Sequence, residues 1–338
     1  MKQRRALHPL AAVVAALSPL VLLYGSLFVG RYDVGFTDVH RALVGLMPSA
    51  AAAPDAALSI VQQIRLPRAL LALCVGAGLS MAGAAYQGLF RNPLVSPDAL
   101  GATAAAAFGA ALALSSGAGP LGVQALAFTA GVAGVAVTWL LARSIRSSSM
   151  LMLILSGVVV TAFFAALLGA LKYLADPESR LPAITYWLLG SLNGATWTTL
   201  AFVAPPMIAG AVLLWLLRWQ LNVLAMGDEE ARALGVRTEL VRALTILATT
   251  LATAAAVSGC GIVGWIGLVV PHVARMLVGP DHRRLLPLAL CVGASYLLVI
   301  DTLARSLTPG EIPVGILTAI AGAPSCAWLL RRSRGAWT

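Results

Sequence analysis

The chain has 338 residues, 59% of them hydrophobic and only 11% charged, with a mean hydropathy of +0.89. A soluble domain carries about 25% charged and 45–50% apolar residues, so the composition excludes an ordinary soluble enzyme. The net charge of +10, from 23 Lys+Arg against 13 Asp+Glu, leaves three readings open: nucleic acid, lipid, or the rule that cationic loops stay in the cytoplasm.

At the amino terminus, Lys2, Arg4 and Arg5 precede an apolar stretch over 9–30. It is longer than the roughly 7–15 apolar residues of a secretory signal, so the expectation is a retained first transmembrane helix. Segments able to supply the ~20 helical residues a bilayer needs recur near 67–88, 99–116, 120–142, 150–172, 198–218, 240–259, 261–279, 286–304 and 313–331. About ten spans are therefore expected. Glycine and alanine are frequent inside them, and small residues let membrane helices approach closely. The fold class expected is an all-α polytopic membrane protein, a single domain over 1–338 with no soluble appendage.

With the amino terminus inside, 16 of the 23 Lys and Arg residues fall on the cytoplasmic side. Acids are nearly balanced, so the inner face carries the whole +10 and the outer face is neutral. This predicts both termini inside and removes the need for nucleic acid. Cys74, Cys260, Cys291 and Cys326 lie in apolar sequence without metal or redox spacing, and read as small buried hydrophobes.

Four stretches carry information. Arg65-Leu-Pro-Arg68, together with Arg305, reads either as snorkelling cations or as a cationic rim for an acidic partner. Arg91-Asn-Pro-Leu94 breaks a helix on the cytoplasmic side, as a plain turn or as a constriction. The inner loop about 226–236 contains Asp228 to Leu234, a short helix candidate with acids in its first turn and Gly235 as its stop; it reads as a solvated connector or as a docking element. Asp301 and Arg305 lie four apart and could pair on one helix face. His272 reads as a structural hydrogen-bond former. No metal-ligand cluster, GxSxG or HExxH appears. The two lysines, Lys2 and Lys172, do not follow a glycine, so a P-loop is absent and the chain is not its own ATPase.

In order, Arg65-Leu-Pro-Arg68, Gln87-Gly-Leu-Phe-Arg-Asn-Pro-Leu94, Tyr186-Trp-Leu-Leu-Gly-Ser-Leu192, Leu221 to Gly235, Gly264 to Arg275, Asp301 to Arg305, and Glu311-Ile-Pro-Val-Gly315 with Gly322-Ala-Pro324 resemble the FecCD family, the permease subunits of ABC importers for iron–siderophores, haem and vitamin B12. The resemblance implies ten helices per subunit and a homodimer around a central translocation pathway in the bacterial inner membrane. It implies two cytoplasmic ATP-binding subunits, which hold ATP and Mg, and a periplasmic binding protein. No cofactor, metal or catalytic residue is expected in this chain. By resemblance, Gly227, Asp228, Glu229, Glu230, Ala231, Arg232, Leu234 and Gly235 form the coupling element to the ATPase. Arg65, Arg68 and Arg305 dock the binding protein, and Asn92, Leu94, Ser149 and Met150 gate the pathway. The segment 176–182 leading to Trp187 resembles a short helix at the external mouth. The cargo expected is an iron chelate, haem or ferric siderophore, with cobalamin as the alternative; a stand-alone transporter or channel is the reading from another class.

Overall fold

A computed structural model of the chain describes residues 9–44, 56–144, 150–308 and 310–332, and these are helical apart from turns and short connections. Each of the ten predicted apolar segments holds a helix. Among the described residues six helices are long and apolar enough to cross a bilayer, and four more are apolar but shorter. The long ones are α4 (Leu66–Leu89), α6 (Pro120–Ser144), α7 (Met150–Leu174), α9 (Trp197–Leu216), α12 (Thr238–Cys260) and α14 (His282–Ser306). The shorter ones lie within α1 (Pro9–Ser26), α5 (Ala102–Ser115), α13 (Ile266–Val278) and α15 (Val314–Arg332).

Five more helices lie between them: α2 (Phe36–Val44), α3 (Ala56–Ser59), α8 (Arg180–Leu188), α10 (Arg218–Met226) and α11 (Asp228–Ala233). The chain runs continuously from α3 through a π-helical turn, Ile60–Arg65, into α4. Pro67 accounts for the wide turn. Its ring would strike the carbonyl four residues back in α geometry; instead the Leu66 N–H reaches the Val61 carbonyl, five residues back.

α4 is the axis of the bundle, packed against α14, α12, α13 and α9. Small residues make this possible. Gly83 lies against the backbone of Gly267 on α13, and Gly76 against that of Gly293 on α14, so a methyl group at Gly76 or Gly83 would overlap main-chain atoms. Interhelical packing without a hydrophobic drive depends on such approaches. Gly101 and Gly261 take the left-handed backbone needed where irregular chain enters α5 and leaves α12.

The predicted span 261–279 is corrected to a turn over 261–265 followed by the half-length α13. Trp265 caps α13 in the left-handed region, φ +70°, with its side chain against Gly322. A small cap at the Arg65 end joins Leu27, Val39, Ala42, Val61 and Leu66 into a separate apolar cluster; the spans predicted from the sequence did not include α2 or α3.

Candidate functional site

The connector between α9 and α12 is two helices, not one. α10 ends at Gly227, whose φ and ψ of 148° and 158° are open essentially only to glycine. A side chain there would also meet the Glu230 carboxylate folded back over it. α11 then runs Asp228–Ala233 with Asp228, Glu229 and Glu230 in its first turn, which suits the helix dipole. It stops where the Gly235 N–H bonds the Arg232 carbonyl and the Val236 N–H the Ala231 carbonyl, Gly235 being left-handed. Ala231 is fully buried against the bundle, while Glu229, Glu230, Arg232, Leu234 and Gly235 are exposed. The element expected from the sequence therefore has one anchored face and one free face.

Asp228 is the joint of this region. One carboxylate oxygen accepts from Arg91 at 3.1 Å, and the other pairs with Arg242 on α12. Arg242 also reaches Glu239 at 2.8 Å and is buried in the bundle. Arg91, left-handed at φ +50°, begins the turn that carries Asn92 and Leu94. The Asn92 side-chain oxygen accepts from the Leu94 N–H at 2.9 Å, closing the turn and leaving the Leu94 side chain exposed. The connector and the 91–95 turn, 137 residues apart in sequence, are thus held together by charge. The turn's link to α11 through Arg91 was not visible in the sequence.

Of the other expected gate residues, Met150 is the first residue of α7 and packs partly buried on the core cluster at this end. Ser149 lies outside the described residues.

At the opposite end lie the three arginines expected to form a cationic rim. Arg65, Arg68 and Arg305 are all buried, each under 10% exposed. Arg68 makes paired contacts with Asp301, at 2.9–3.2 Å, and with Glu311, at 2.9–3.0 Å. Arg65 donates to the Leu27 carbonyl at 2.6 Å and to that of Tyr32. Arg305 donates to the Ser26 carbonyl at 2.6 Å, and its Nε stands 4.0 Å from Asp301. The predicted Asp301–Arg305 pair is therefore secondary to Asp301–Arg68. A charge near a membrane span is costly unless it is satisfied, and a fully buried Asp301 draws the guanidiniums inward. In compensation they hold Ser26, Leu27 and Tyr32 on one side and Glu311 on the other. On this face α8 extends to Arg180–Leu188, started by the Asp176 carboxylate accepting from the Ser179 N–H at 2.7 Å. That bond and the Ser179 hydroxyl hold the Asp176 carboxyl below its ordinary range.

An all-helical polytopic bundle with an anchored connector helix at one end is the architecture of a membrane transport subunit. The profile of the FecCD transport family matches residues 18–332, and the chain belongs to that family of transport permeases. It is 40% identical over 299 residues to the molybdate import system permease MolB of Haemophilus influenzae, covering 88% of each chain. It is 40% identical over 326 residues to the hemin transport permease HmuU of Yersinia pestis, covering 93% of each. A solved inward-facing ABC transporter of metal-chelate type superposes with a TM-score of 0.85 at 38% identity, covering 96% of this chain and all of that one.

Proposed function

We propose that the chain is the membrane permease subunit of an ATP-driven importer, working as a homodimer of ten-span subunits around a central pathway. Its partners in this reading are two cytoplasmic ATP-binding subunits and a periplasmic binding protein. It sits in the bacterial inner membrane with both termini cytoplasmic, an orientation supported by the distribution of arginines. ATP and Mg belong to the partner, and the chain performs no chemistry on its cargo.

The observation that carries the reading is the ion-paired joint at Asp228. A helix with one buried face and one free acidic face is suited to follow a moving partner. Through Asp228 any displacement of α11 pulls on Arg91, and so on the turn bearing Asn92 and Leu94. Nucleotide-driven closure of the ATPase would thereby reach an inner gate, with Met150 and Ser149 at a second one, by the rigid-body rocking that alternating access requires. At the outer end the buried arginines act in docking by holding the segment 26–32 and Glu311 in place, the partner meeting the surface around them rather than the guanidiniums.

The cargo favoured is an iron chelate, haem or ferric siderophore, with cobalamin second. The abundance of small and apolar residues supports a weakly binding passage for a bulky chelate. Molybdate is a further reading, supported by the name of one relative at 40% identity. The deciding experiment reconstitutes the chain with its ATPase and binding protein in liposomes and compares ATP-dependent uptake of haem, a ferric siderophore, cobalamin and molybdate. Uptake of one cargo lost without ATP is the expected result. Uptake that persists without any ATPase subunit would make this a stand-alone transporter.

A further inference from the structure

One exposed face of α9 is apolar over its second half. Ile208, Val212, Trp215, Leu216 and then Trp219 at the start of α10 recur at helical spacing, and all are exposed. At its end this stripe meets a cleft of about 540 Å³ lined by Trp215, Leu216, Arg218, Trp219 and Arg283.

The cleft is built rather than incidental. The Arg218 guanidinium lies 3.7 Å from the centre of the Trp215 ring and donates to the Trp215 carbonyl at 3.1 Å. Asn222 on α10 donates to the Asp281 carboxylate at 2.6 Å and accepts from the His282 N–H at 2.8 Å. These bonds pin α10 to the start of α14 and bring Arg283 beside Arg218. Asp281 is occupied by Asn222 and by the Arg283 N–H at 3.0 Å. Among the described residues no carboxylate stands within ion-pair distance of Arg218, Arg283 or Arg284.

We propose that this cleft binds the phosphate headgroup of an anionic phospholipid whose acyl chains lie along the Ile208–Trp219 stripe. Arginine suits phosphate by its forked geometry, tryptophan favours the membrane–water boundary, and basic pockets at this depth select anionic lipid. Charge complementarity and continuity with the apolar stripe set the occupant. A free anion would use the cleft but not the stripe.

The test is native mass spectrometry of the purified full chain, supplied with phosphatidylglycerol or phosphatidylcholine. Phosphatidylglycerol should be retained preferentially. The double variant Arg218→Gln/Arg283→Gln should weaken its retention about 30-fold, equivalent to about 2 kcal/mol, with phosphatidylcholine unchanged. Arg283→Lys, which keeps the charge and loses the fork, should retain only part of the preference, and equal size-exclusion profiles exclude misfolding as the cause. Equal retention of both lipids by the native chain, or no change in the double variant, overturns the proposal. So does displacement by millimolar inorganic phosphate, which would make it a free-anion site. Loss of the second copy or of the ATPase subunit with lipid retention intact would assign the cleft to a protein interface instead.

Discussion

α4 and α7 are both apolar helices of membrane length, yet 78% of the apolar window containing α4 is buried inside the subunit and only 22% of that in α7. α7 is the more hydrophobic of the two. In a soluble protein the order would be reversed. Here the central helix trades bulk for smallness: Gly76 and Gly83 admit neighbouring backbones, Ala72 and Ala82 are fully buried, and Gln87 and Arg68 reach the Leu268 carbonyl and Asp301 on other helices. α7 instead presents Leu155, Val159 and Phe163 outward, where lipid or a second copy can cover them. In this bundle hydropathy measures contact with the bilayer side, and small-residue content measures centrality.

Charge removal should separate the two helices most. Arg68→Met would leave Asp301 buried without its main partner and should cost about 3–5 kcal/mol, whereas Lys172→Met on α7 should stay within about 0.5 kcal/mol; thermal unfolding in detergent measures both. Next come paired glycine changes. Gly83→Leu would drive a side chain into the Gly267 backbone and should cost on the order of 3 kcal/mol. Gly169→Leu on α7, with nothing within 4 Å of an added Cβ, should leave the yield of monodisperse protein unchanged. Equal losses at the two glycines would end the distinction.

A smaller effect on stability is expected at the joint. Asp228→Asn breaks one exposed pair and one to the buried Arg242, which keeps Glu239, and should cost about 1–2 kcal/mol, so the fold and the attached ATPase should survive while uptake per ATP hydrolysed falls several-fold. Unaltered uptake would sever the connector from the turn in function. The smallest effect concerns pH. Burial raises the Asp281 carboxyl, but the Arg283 N–H, the Asn222 amide and the Arg283 and Arg284 charges outweigh it and hold it below its ordinary value. Its stabilising contribution is therefore complete above about pH 4 and is lost as pH falls through the lower folded value. Asp281→Asn should abolish that slope in an acid titration of helicity.

The ten apolar segments were legible because a bilayer demands length and hydropathy, both carried locally. α11 was legible too, through its acidic first turn and Gly235. What escaped were features set by distant partners. Nothing near Arg68 announces Asp301, 233 residues away, so its residue type was visible and its burial was not. α2 and the Ile60–Arg65 turn mix polar and apolar residues over too few positions to register as spans. Met150 illustrates a third kind of gap: its place at the start of α7 followed from hydropathy, but its packing against the core depended on tertiary neighbours.

The π-turn before Pro67 has a consequence for insertions and deletions. Each residue turns an α-helix by about 100°, and the wide turn takes up one residue more than the regular geometry would. Because Pro67 bars ordinary helix here, a residue removed between 60 and 65 could not be absorbed by closing the turn, and the chain before it would have to shift relative to α4. The apolar cap around Leu27 and Val39 is therefore indexed to α4 by the number of residues in that turn, and a change of length there would be felt at the Arg65 contacts to Leu27 and Tyr32.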